Sequence, residues 1–134
     1  MSEQPATNRR DAARRMAEMA ESAKRAEAQS AQVLIDEFVV RARARGLKPE
    51  RLVATQMDGR PAKTDKTGWY LNRSRSIAIG EDGSWYVLTV PTISRWGRMK
   101  GVSLVASPPE MVVGRGARDG ESGDLSEFLD RLLP

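Results

Sequence analysis

"GWYLNRSRSIAIGEDGSWYVLTVP", residues 68–91, is the stretch on which the fold turns. Two segments, "RSIAIG" and "SWYVLTV", flank Glu81-Asp82-Gly83, and Gly83 can take the positive φ that a tight hairpin needs. Two registers are open. A two-residue Asp82-Gly83 turn sets Ile79 opposite Tyr86 and Ile77 opposite Leu88. A three-residue loop with a bulge sets Ile79 opposite Trp85 and Ile77 opposite Val87. Either way, adjacent side chains leave a strand on opposite faces, so the pairs Trp69-Tyr70 and Trp85-Tyr86 each divide their rings between two sides of a sheet. Arg73 and Arg75 stand between the two pairs.

Upstream of the hairpin, Leu52–Met57 is expected to be a strand, Asp58-Gly59-Arg60-Pro61 a turn, "AKTDKT" a polar loop and Trp69-Tyr70-Leu71 a short strand. Before these lies a long helical composition, from about Asn8 to Arg45, with no internal Gly or Pro. Its halves differ in kind. Ala31, Leu34, Ile35, Phe38, Val39 and Ala42 fall at i, i+3, i+4, i+7, i+8 and i+11, a wide apolar stripe that should dock on the rest of the domain. The first half offers only alanines and two methionines, in the 4-3 spaced row Ala12, Met16, Met19, Ala23, Ala26, Ser30, Val33. Arg41, Arg43 and Arg45 favour the negative end of the helix dipole, Gly46 suits the left-handed C′ position, Leu47 the apolar C″ position, and Pro49 bars continuation.

Downstream, "PTISRWGRMKG" reads as a loop, and "VSLVAS" and "MVVG" as further strands on either side of Pro108-Pro109. The glycine-rich acidic run "GRGARDGESGD" leads into a short amphipathic helix with Leu125, Phe128, Leu129 and Leu132 on one face. Asp124 and Glu127 in that helix have the spacing of a capping box. The order gives an α+β domain with a long N-terminal helix, an antiparallel sheet of four to five strands bearing its helices on one face, and a short C-terminal helix. Residues 1–30 are expected to form an Ala-rich charged helical arm, partly flexible, and residues 31–134 a single domain.

Composition narrows the chemistry. The 134 residues contain no cysteine and no histidine, which removes thiolate metal sites, cysteine nucleophiles and the commonest general base and transition-metal ligand. The carboxylates Asp58, Asp65, Glu81 and Asp82 fall in expected turns, and Lys63, Lys66 and Tyr70 are close in sequence without marking a site. The glycine-rich run lacks the third glycine of a dinucleotide fingerprint and any Gly-Lys-Ser/Thr, and Asp119, Glu121 and Asp124 would repel a phosphate. Their spacing also misses a calcium loop. The expectation is a non-enzymatic protein with no cofactor and no metal, without membrane insertion and cytoplasmic by default.

Charge is uneven along the chain. The net charge is +4; residues 51–100 carry nine basic and four acidic groups, residues 101–134 three and six. Five of the seven aromatics share the basic middle. Trp69, Arg73, Arg75, Arg95, Trp96, Arg98 and Lys100 are the candidate contacts for a partner or a nucleic acid, since exposed rings stack bases while cations hold phosphates. Met16, Met19, Ala23 and Ala26 are the candidate helix interface. The leading expectation is a small interaction or adaptor protein that docks to a protein partner, or to itself, through its N-terminal helix. Nucleic-acid or polyanion binding through residues 69–100 is the alternative, and a small-molecule pocket under the sheet is a third class.

Overall fold

A computed structural model describes residues 5–94, 99–114 and 121–134. Helix α1 runs from Pro5 to Ala44. At 1.5 Å per residue it is about 60 Å long. Ala31, Ile35, Phe38 and Ala42 are buried, with Leu34 and Val39 partly so, as the 3.6-residue period of the second half requires. Residues 6–26 are exposed throughout. The helix stops where its last carbonyls find left-handed glycine: Gly46 has φ 74°, its N–H donates to Arg43 O at 3.2 Å, and the Leu47 N–H reaches Ala42 O at 2.9 Å.

Strands β1 (Glu50–Gln56), β2 (Pro61–Tyr70), β3 (Ile77–Gly80), β4 (Trp85–Val87) and β5 (Thr89–Val90) form one sheet in the order β4-β3-β2-β1-β5. The first four pair antiparallel, and β5 runs parallel to β1, so the sheet is mixed but mostly antiparallel. The hairpin adopts the three-residue loop, with Ile79 opposite Trp85 and Ile77 opposite Val87. Gly83 sits at φ 87°, and the Asp82 carboxylate accepts the Ser84 N–H at 2.9 Å. The Ser84 hydroxyl, and after it this backbone bond, hold the Asp82 carboxyl below its ordinary pKa.

Two segments depart from the sequence reading, and a third pairs elsewhere than in the main sheet. "AKTDKT" is not a loop but the body of β2. Its inward residues are only Ala62 and Thr64, too small to signal a strand, and the Thr64 hydroxyl donates to Leu52 O at 2.8 Å. "VSLVAS" is not a strand; residues 102–107 touch the sheet through single bridges, Thr64 to Val102 and Trp85 to Ser107. "MVVG" contributes β6 (Val112–Val113), which pairs with β7 (Gly123–Asp124) in a separate two-stranded ribbon rather than with the main sheet.

The closing helix α2 (Leu125–Leu132) buries Leu125, Phe128 and Leu129. Asp124 stands at its N-cap without a side-chain capping bond, so the capping box is not formed. The Leu125 N–H is satisfied instead by Met111 O at 2.8 Å.

The sheet curls until its two ends meet. β4 and β5 lie at opposite ends of the strand order, yet only Leu88 separates them in the chain. Leu88 donates its N–H to Ser76 O at 2.8 Å, beyond the start of β3, and accepts the Thr55 N–H of β1 at 2.7 Å. One residue therefore joins both edges. Leu52, Ala54, Ala78, Tyr86 and Leu88 fill the enclosed side, closed off by Leu104. Trp69, Leu71, Ile79 and Trp85 form the other side, beneath both helices.

Candidate interaction surfaces

The two Trp-Tyr pairs flank β3 in register. Trp69 pairs with Ile79 and Ile79 with Trp85, while Tyr70 pairs with Ala78 and Ala78 with Tyr86. Strand alternation thus sends both tryptophans to the helix side and both tyrosines to the enclosed side. Trp69 is 5% exposed and Trp85 2%. The Trp69 ring meets Phe38 edge to face at 5.5 Å, and its indole N–H donates to Leu47 O at 3.1 Å. Trp69, expected as a contact residue, is therefore a core residue. The reason lies in α1, whose apolar stripe needs a broad counter-surface that a row of Trp-Ile-Trp supplies.

Of the other sequence candidates, Arg73 and Arg75 are exposed on the loop between β2 and β3. Asn72 organises that loop, its amide oxygen accepting the Ser76 N–H at 3.1 Å and the Ile77 N–H at 3.3 Å. Arg75 takes φ 56° there, and its guanidinium lies 4.7 Å from the centre of the Tyr70 ring. The Arg73 N–H donates to the Glu121 carboxylate at 2.9 Å. Tyr70 in turn accepts the Val53 N–H on its hydroxyl at 2.9 Å, next to the register shift between Arg51 and Val53 in the β1–β2 ladder. Arg95, Trp96 and Arg98 lie outside the described residues, as do Gly116 and Asp119 of the glycine-rich run.

Lys100 is exposed and falls in a cluster that the sequence does not announce. Arg51 of β1, Lys63 of β2 and Lys100 line one shallow pocket of about 220 Å³, with Thr64, Met99 and Gly101. Arg51 donates to Thr64 O at 3.3 Å. Among the described residues none of the three cations has a carboxylate within salt-bridge distance. The segment that carries Lys100 is anchored by Asp65, whose carboxylate accepts the Leu104 N–H at 3.0 Å and the Ser103 hydroxyl at 3.1 Å. The Leu104 bond is the main cause of its lowered pKa, with Ser103 and Lys66 adding to it against a desolvation effect.

On α1, Met16 and Met19 are 71% and 70% exposed, with Ala23 and Ala26 exposed beside them. A cavity of about 650 Å³ separates the middle of the helix from the sheet, between Ala23, Lys24 and Glu27 on one wall, Ile77 and Val87 on the floor, and Pro108-Pro109 opposite. Short and charged side chains leave this gap unfilled, and among the described residues the helix N-terminal to it is exposed.

Among the described residues no buried side-chain polar atom lacks a partner, and no three acidic residues are placed to hold a metal ion. No helix among them is long and apolar enough to cross a membrane. The chain matches no family model, no curated protein and no solved structure.

Proposed function

We propose that the protein is a non-enzymatic interaction module that docks to a protein partner, or to itself, through the arm of α1. One observation carries this reading: about five turns of helix are exposed, with no partner among the described residues, while keeping two long apolar side chains, Met16 and Met19, on one face. An isolated helix of this length is marginal in water, so the arm gains from a partner surface. The double variant Met16→Glu/Met19→Glu keeps helix propensity and touches no core residue. It is expected to lose association, read as solution mass by light scattering and as binding to the immobilised full-length chain. Its stability should stay within about 0.5 kcal/mol of the parent. Association unchanged by both charges removes the arm from this role.

The pocket of Arg51, Lys63 and Lys100 favours a second reading, polyanion binding through these cations. Labelled oligonucleotides titrated at about 50 and 200 mM salt test it, because counterion release makes such binding fall steeply with salt. Arg51→Gln or Lys63→Gln should each lower the salt slope by about one. No binding at the lower salt ends this reading.

A further inference from the structure

Resting on the docking role of α1, we infer that the partner of the arm is a second copy of this chain, paired antiparallel along residues 12–30. The seam is more than small residues. Met16, Met19, Val33 and Val40, the exposed large apolar residues of α1, all fall in one heptad frame, and the buried Ala31, Ile35, Phe38 and Ala42 fall outside that frame. Such a helix has two working faces, one used by its own domain and one left open.

The side-chain sizes choose the direction. An antiparallel pair centred between Met19 and Ala23 sets Met16 opposite Ala26, Met19 opposite Ala23 and Ala12 opposite Ser30. Both methionines then meet an alanine, which evens the packing of the central layers, and the small pair Ala12–Ser30 lies at each end. A parallel pair stacks Met on Met and Ala on Ala, which alternates bulges with gaps. The flanking positions Ala13, Ala20 and Ser22 are small as well, so two helices can approach closely.

Charge points the same way. Residues 9–15 hold four arginines and one aspartate, a net +3. Parallel pairing would set this segment against its own copy. Antiparallel pairing sets it level with residues 27–33, whose one charged residue is Glu27, and places the apolar stem of Arg9 level with Val33.

The absence of cysteine makes the test clean. Ala12→Cys and Ser30→Cys are both at exposed positions. In the antiparallel pair residue 12 of one chain is level with residue 30 of the other, whereas equivalent residues stand about 27 Å apart along the axis. A disulfide needs Cα atoms within roughly 7 Å. Mixed and oxidised, the two full-length variants are expected to give the 12–30 cross-linked dimer, with neither variant linking to itself. Light scattering of the parent should rise from 14.8 kDa toward twice that mass with concentration. Self-linking by Ala12→Cys alone, or a monomer at every concentration with no cross-link, overturns the inference. A monomeric parent whose binding to a different protein is lost in Met16→Glu/Met19→Glu would overturn self-pairing and leave the docking role standing.

Discussion

Trp69→Ala is expected to lower the stability of the protein by about 3–5 kcal/mol, the range for truncating a buried aromatic. The size of the effect follows from three losses at one position. The indole packs between β2 and α1, its ring meets Phe38 at right angles, and its N–H satisfies the Leu47 carbonyl just past the helix end. Urea denaturation reads this as a lower midpoint with little change in slope. Trp69→Phe separates the contributions. It keeps an aromatic ring against Phe38 but leaves the Leu47 carbonyl unpaired, at a cost of about 1–3 kcal/mol if water does not reach it. A cycle with Phe38→Leu should show non-additivity, since the two rings touch. A midpoint unmoved by Trp69→Ala would mean that the ring is a surface feature, and the helix-side core would have to be redrawn.

The same residue shows what the sequence could and could not disclose. Alternation alone required the Trp-Tyr pairs to split between two faces, and the three-residue register of the hairpin was one of two that its loop allowed. It could not say that the second face is also enclosed. That depends on Leu88 bonding to Ser76 on one side and Thr55 on the other, a closure set by pairings 12 and 33 residues apart. The C-terminal boundary of α1 was legible, because the 3.6-residue period, the terminal arginines and Gly46 all point to it, whereas the helix begins at Pro5, ahead of the expected Asn8. The first part of β2 was hidden because its inward positions carry Ala62 and Thr64 instead of large apolar residues, and its outward ones carry Lys63 and Asp65. The cationic pocket was hidden for a topological reason. Arg51 and Lys63 meet because β1 and β2 pair, and Lys100 joins them because Asp65 fastens the segment from Ser103 to Leu104 onto β2. No local pattern encodes a bond across 39 residues.

Gly68→Ala is expected to be as damaging as any core truncation, although it adds a single methyl group. Gly68 lies within β2, opposite Glu50 of β1 and Gly80 of β3. A Cβ there would collide with the Ile79 carbonyl oxygen and stand 2.9 Å from the Gly80 Cα, and both are backbone atoms that cannot rotate away. Relief requires β2 and β3 to separate, which pulls Ile79 from between Trp69 and Trp85 and disturbs both packed faces at once. The cost should reach the upper end of the ~1–3 kcal/mol typical of overpacking, or exceed it. Gly83→Ala supplies a contrast of different origin. Its strain comes from φ 87° and from the Asp36 carboxylate 2.8 Å from the new Cβ, a side chain that can swing aside. The backbone term remains, about 1–2 kcal/mol. Thermal unfolding should therefore rank the two variants with Gly68→Ala clearly the less stable. Near-ultraviolet circular dichroism should show the tryptophan environment altered in Gly68→Ala and retained in Gly83→Ala. If Gly68→Ala folds with parental stability and an unchanged tryptophan signal, the close approach of β2 and β3 at this glycine pair does not exist, and with it goes the Trp-Ile-Trp row that seats the helix.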